Sequence, residues 1–239
     1  MTADAHAVGN HLLDTLPLED LARLRPSLEH VEFPFAATVH RPGDRLDAAF
    51  FPNEGMVSMV GTLEDGTQME VGTVGREGLV GLPLVLGTDR GLVEAIAQTD
   101  VVALRISAAA LCEAVDRSAT LRSLLLRYAM AFQVQVTQTA LCNGRHAVDQ
   151  RLARWLLIAH DLAVSDEFTM THEFIAMMLG VRRPGVSVVA AMLQKAGLIS
   201  YARGRMTVLD RPGLEAAACE CYFTVRDEFR QLLGEPAGG

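Results

Sequence analysis

Arg182 and Arg183 stand side by side, with Ser187 one helical turn further on. These are residue types that read the edge of a base pair. An arginine fork bonds two acceptors of a guanine at once, and a serine hydroxyl can bond several edges. Upstream, Thr171 and His172 fall where a helix should open, and there the free amides and the dipole favour a phosphate oxygen. Arg203 and Arg205 flank Gly204 and would reach the neighbouring backbone of a duplex. An arginine at a helix start opposes the dipole, so this pair asks for an anion; the competing reading is two solvated charges.

The segment 169–210 supplies the elements that would position these groups. Thr171 sits as an N-cap, and Phe174, Ile175, Met178 and Leu179 follow at helical spacing. Gly180 ends that helix, because glycine enters the left-handed C-cap position without steric cost. Pro184 suits the opening turn of the next helix, where no amide hydrogen is needed. Val186, Val189, Ala190 and Leu193 give that helix a buried side, and Gly197 closes it. Residues 198–201 and 206–209 read as two strands joined across 202–205. Helix, turn, helix and two-stranded wing make a winged helix-turn-helix, whose second helix enters the major groove by its N-terminal end.

This segment, above all "LGVRRPGVSVVAAMLQKAGLISYARGRMTVLD", resembles the C-terminal domain of the cyclic-AMP receptor protein/fumarate-nitrate regulator (CRP/FNR) family of bacterial transcription factors. The likeness extends more weakly over nearly the whole chain. It implies that Arg183 is the main base-reading arginine, flanked by Arg182 and Ser187. It also implies a homodimer, with double-stranded DNA and RNA polymerase as partners. Pro184 and Val188 fall where some members carry polar readers, so base preference does not carry over. The clustered N-terminal cysteines that hold iron and sulfur in some relatives are absent.

With 239 residues, half of them hydrophobic, the chain can bury two modest domains. Its formal charge of −8 is unusual for a nucleic-acid binder. From His172 to Arg211, however, six basic residues face two acidic ones, so the local sign is right. No apolar run is long enough to span a membrane, and the start lacks signal-peptide character; a cytoplasmic protein is expected. Cys112, Cys142, Cys219 and Cys221 are scattered, and the Cys219-x-Cys221 pair lacks partners for zinc. Buried, reduced thiols and no cofactor or metal are expected.

Residues 30–106 change character. The runs 30–33, 48–51, 56–63 and 68–74 read as strands, punctuated by turns at 41–44, 53–55 and 64–66. Asp65-Gly66 between alternating runs is a hairpin signal. Many short strands with such turns suggest a jelly roll, which resembles the family's cyclic-nucleotide-binding sensor domain. In nucleotide-binding members a Gly-Glu pair holds the ribose and an Arg-Ser pair grips the phosphate. Here the first aligns with Gly81-Leu82, and the second falls near Gly91-Leu92 with Arg90 one place out of register. A buried phosphate without a cation is costly, so cyclic nucleotide is not expected; Glu77 and Arg90 would serve only if the alignment shifts. His30, His40, Met56, Met59 and Met69 offer haem ligands in principle, but nothing specifies a pair; the methionines are expected to fill a core and the histidines to sit at strand edges.

Residues 117–143 read as one long helix in which Leu121, Leu125, Tyr128, Phe132, Gln135 and Thr139 recur in steps of four and three, a heptad seam for a dimer. Leu124, Leu126, Ala131, Val134 and Val136 on other faces suggest burial on more than one side, and an ordinary core helix within one protomer is the competing reading. Asn143-Gly144-Arg145 reads as an interruption and hinge. A helix with Leu152, Trp155, Leu156 and Ile158 follows, and after the wing a final helix opens at 211–213. The expected class is α+β: a sensor β-roll (1–116), a dimerisation helix (117–143), a winged helix-turn-helix domain (144–222), and a C-terminal helix end with frayed tail (223–239). The chain has no phosphate loop, serine elbow or His-Glu-x-x-His motif, so no enzyme is expected. A DNA-binding regulator is the leading reading; an interaction adaptor that kept the winged fold without DNA is the alternative.

Overall fold

The computed structural model describes residues 8–163 and 165–234. The chain opens with α1 (His11–Asp14) and α2 (Leu18–Leu24), then a 3-10 turn at Arg25–Ser27. Strands β1 (Glu29–Phe33), β2 (Thr38–His40), β3 (Ala48–Glu54), β4 (Val57–Thr62) and β5 (Gln68–Val74) follow, then α3 (Leu82–Val85), β6 (Glu94–Ala97) and β7 (Val101–Ser107). Helices α4 (Ala108–Arg117), α5 (Ala119–Arg145) and α6 (Val148–Leu162) come next. The remainder is β8 (Glu167–Thr169), α7 (His172–Leu179), α8 (Arg183–Lys195), β9 (Ile199–Ala202), β10 (Arg205–Val208), α9 (Arg211–Ala217) and α10 (Cys221–Leu233). Two units emerge. One holds residues up to 59, 73–133 and 227 onward; the other holds 60–72 and 134–226.

The first unit is the expected roll. Its sheets run β1-β7-β3, antiparallel throughout, and β2-β6-β4-β5. In β7, Val101, Ala103, Leu104 and Ile106 are buried between partly exposed neighbours, close to the alternation of a strand with one face on a core. That core gathers Leu12, Leu13, Phe51, Leu79, Ile106, Leu111, Leu125 and Tyr128. Gly55 (φ +82°) turns the chain where a Cβ would lie 2.2 Å from the Asp100 carbonyl, so only glycine fits. Met56 and Met59 are buried in the core as expected, while Met69 is only half-buried. His40 ends β2, as a strand-edge residue would, and is itself buried.

The β4–β5 hairpin turns at Asp65-Gly66 as expected, with Leu63 N bonded to Thr67 O at 2.9 Å and Thr67 N to Asp65 Oδ1 at 2.9 Å. Its outer part, residues 60–72, belongs to the second unit. There Glu70 Oε1 accepts from the indole Nε1 of Trp155 at 3.1 Å, which satisfies the one polar group of a core tryptophan. Leu152, Leu156 and Leu157 fill the rest of the buried side of α6.

Three expectations are corrected. Asn143-Gly144-Arg145 does not interrupt the long helix: α5 runs to Arg145, and the break comes at His146-Ala147. Asn143 is held on both sides, accepting from Arg151 Nη2 at 2.7 Å and donating to Met69 Sδ at 3.3 Å. These contacts outweigh the modest cost of a helical glycine. The wing is three-stranded, ordered β8-β10-β9, because Glu167–Thr169 pairs with β10. The final helix is two helices, broken at Ala218–Glu220 between α9 and α10. The tail beyond Gly234 lies outside the described residues.

Candidate nucleic-acid interface

Helices α7 and α8 meet at 108°, within the range of a helix-turn-helix. The local signals act as read. Thr171 Oγ1 accepts from Phe174 N at 3.2 Å, Gly180 closes α7 at φ +60°, and Pro184 lies in the opening turn of α8. Val186, Val189, Ala190 and Leu193 are buried, which turns the opposite side of α8 outward. That outer side carries Arg182, Arg183, Pro184, Val188 and Met192, all exposed.

Arg183 Nε pairs with Glu173 Oε1 at 2.8 Å, with both side chains more than 60% exposed. Such a pair contributes ~0–1 kcal/mol and holds the guanidinium loosely. Arg182 makes no ion pair among the described residues. The wing places its arginines differently. Arg203 and Gly204 form the two-residue loop between β9 and β10, both with positive φ (+53° and +79°). That matches a type I′ turn; a non-glycine residue held there carries strain and sets the Arg203 side chain at the exposed tip. Arg205 is tied to Glu167 Oε1 at 2.6 Å on the neighbouring strand.

His172 and Ser187, both half-buried, are engaged with each other. His172 Nδ1 and Ser187 Oγ bond each other at 2.9 Å, and the imidazole stacks on Tyr201 at 4.3 Å and 17°. This strut joins α7, α8 and β9, so the two residues position the reading helix. Burial, helped by the Arg183 charge and opposed by Glu173, lowers the His172 pKa below its ordinary value. A depressed pKa means the unfolded chain takes up the proton first. The strut therefore contributes its full stability above about pH 6.5 and loses it as pH falls through the folded-state value. Urea midpoints at pH 7 and 5 check this: His172→Phe, which keeps the stacking without the titration, should show a smaller acid loss than the native chain.

The other site residues separate. Glu77 Oε1 accepts from Gly75 N within its own loop. Gly81 caps α3 at φ +107°, and Leu82 packs on the core of the roll. Arg90 is exposed, its backbone bridged to Arg45. The supposed dimer seam turns inward: Leu121, Leu125 and Tyr128 are at most 2% exposed and belong to the core of their own roll, with Phe132 packed against it. Gln135 is buried, and Thr139 Oγ1 accepts from Arg154. The apolar side of α5 left open carries Leu126, Met130 and Leu141.

A second constellation was illegible in the sequence. Cys142, His146, Cys219 and Cys221 bring their donor atoms within 4.8 Å of one another, so the Cys219-x-Cys221 pair does have partners. Cys142 Sγ lies 3.5 Å from Cys219 Sγ, and Cys221 Sγ lies 3.6 Å from His146 Nδ1. The hydrogen bond from Cys142, with the amide of Cys221 assisting, favours the Cys219 thiolate.

Residues 30–118 match the family model of the cyclic nucleotide-binding domain, and residues 150–217 that of the Crp-like helix-turn-helix domain. Among solved structures, FixK2 from Bradyrhizobium japonicum aligns with a TM-score of 0.70 at 17% identity, over 80% of this chain and 98% of that one. TTHB099, a CRP-family transcriptional regulator from Thermus thermophilus, aligns at 0.67 and 25% identity, over 79% and 96%. CLP of Xanthomonas campestris, a c-di-GMP-responsive global regulator, aligns at 0.61 and 20%, over 80% and 99%. No curated protein sequence matches the chain significantly. The chain belongs to the CRP/FNR family of transcription regulators, with a cyclic-nucleotide-binding-type roll and a helix-turn-helix DNA-binding domain.

Proposed function

We propose that the protein binds a palindromic DNA site as a homodimer and regulates transcription there, with RNA polymerase as the machinery it addresses and the cytoplasm as its compartment. The observation that carries this reading is the outward end of α8. Arg182 and Arg183 open it, their one ion pair among the described residues is the loose contact with Glu173, and the His172–Ser187 strut braces it from behind. Val188 and Met192 continue the same surface and suit contact with thymine methyls. Arg203 at the wing tip is placed for a phosphate. The open side of α5, with Leu126 and Met130, is the surface we assign to the partner protomer. No helix among the described residues is long and apolar enough to cross a membrane.

The roll is read as a sensor without a cyclic-nucleotide grip. Leu82, where nucleotide binders carry the ribose-binding glutamate, packs on the core, and Arg90, one place out of register with the phosphate-gripping arginine, is exposed. A binding series on a genomic operator at increasing salt tests the DNA reading. With six to ten phosphate contacts, affinity should fall by about 10³–10⁵ between ~50 and ~200 mM salt. A flat response would favour the adaptor reading.

A further inference from the structure

We propose that Cys142, His146, Cys219 and Cys221 form a structural zinc site that fastens the end of α5 to the α9–α10 junction. The donor set is Cys₃His, a recurrent closed shell for structural zinc. The spacing fits one ion. Bond lengths of about 2.3 Å to sulfur and 2.0–2.1 Å to nitrogen place tetrahedral ligands roughly 3.5–3.8 Å apart, and the two closest pairs lie at 3.5 and 3.6 Å. A disulfide needs about 2.05 Å between sulfurs, far shorter than the Cys142–Cys219 separation. A multi-iron cluster would spread its ligands by its own width, whereas all four donors here lie within 4.8 Å.

Three features around the cluster serve the same end. Glu220 Oε2 lies 3.3 Å from His146 Nε2. A carboxylate there holds the proton on Nε2 and leaves the Nδ1 lone pair facing the sulfurs, the usual support of a metal-bound histidine. The three cysteines are buried at 1–2% exposure, which shields them from competing water. Arg151 and Arg154 are buried at 7–8% and form no ion pair with a carboxylate among the described residues. Their bonds go to neutral oxygens, those of Asn143, the Leu179 carbonyl and Thr139. Isolated buried cations are costly. A zinc ion with three thiolates carries a net charge of −1, which these guanidinium groups offset. Binding releases to solvent whatever thiol protons remain on the three cysteines, and no electron is transferred.

The site joins ligands 77 residues apart, so its loss should loosen the reading unit. The test is metal analysis of the full chain, purified anaerobically with reductant and without chelator or affinity metal. About one zinc per chain is expected. Cys219→Ser and Cys221→Ser should each lower the content at least tenfold, whereas Cys112→Ser, at the exposed cysteine, should leave it unchanged. Should the serine variants fail to fold, the native chain still decides. Stripped of metal and titrated with cobalt(II), it should develop thiolate-to-metal charge-transfer absorption and tetrahedral ligand-field bands, and its melting temperature should rise. A native chain whose reduced thiols bind neither zinc nor cobalt overturns the proposal, as does recovery of a Cys142–Cys219 disulfide in place of metal.

Discussion

Arg183→Ala is expected to weaken operator binding by about 5- to 150-fold per half-site, equivalent to ~1–3 kcal/mol, and to blunt preference at one base pair. The guanidinium sits in the first turn of α8, where its charge opposes the helix dipole. Its protein partner, Glu173, is exposed and holds it weakly. Exchange of that carboxylate for the two acceptors of a guanine therefore costs little and gains a bidentate bond. Arg183→Lys keeps the charge but not the fork, so it should retain the salt dependence while losing base preference. Glu173→Gln frees the arginine and should bind no worse than the native chain. Competition binding on operator variants reads all three. Unchanged affinity and preference in Arg183→Ala would remove this residue from the reading role.

The second large effect distinguishes two neighbouring leucines on one helix. Leu126 is 47% exposed and Leu125 is 0% exposed. Leu126→Glu with Met130→Glu should give a folded monomer by sedimentation, with native circular dichroism and operator binding reduced by roughly 10²–10⁴-fold, because the second half-site no longer shares its effective concentration. Leu125→Glu puts a carboxylate into the core of the roll, where a buried unpaired charge is not tolerated; it should unfold that unit rather than yield a clean monomer. Even Leu125→Ala should cost ~2–5 kcal/mol. An intact dimer in the Leu126/Met130 variant would move the interface off this face of α5.

These two leucines also show what a sequence can and cannot say. The steps of four and three through Leu121, Leu125 and Tyr128 announce a helix with an apolar stripe, but a stripe does not name its neighbour. Here the roll fills it, and the open side lies a residue or two away. The reading helix was legible because its signals are local: Thr171, Gly180, Pro184 and Gly197 act within one turn of themselves. Long-range partners were hidden. Three residues at 167–169 form a strand only because β10 lies alongside. Ser187 has the chemistry of a base reader, yet it bonds a histidine fifteen positions earlier. The cysteines read as scattered, with no partners for the Cys219-x-Cys221 pair, for the same reason: metal motifs are recognised by short spacing, and Cys219 lies 77 positions beyond the cysteine it faces.

The outer half of the β4–β5 hairpin belongs with the reading unit while its base belongs with the roll. Dissecting the protein at a single bond therefore cannot give two intact halves. A fragment starting at residue 134 would lack Glu70, leaving the Trp155 indole hydrogen without its acceptor, and a fragment ending at 133 would retain a hairpin tip shorn of its surroundings. Limited proteolysis should accordingly release no stable piece by one cut after α5, and grafting this reader onto a foreign sensor would require transplanting residues 60–72 along with it.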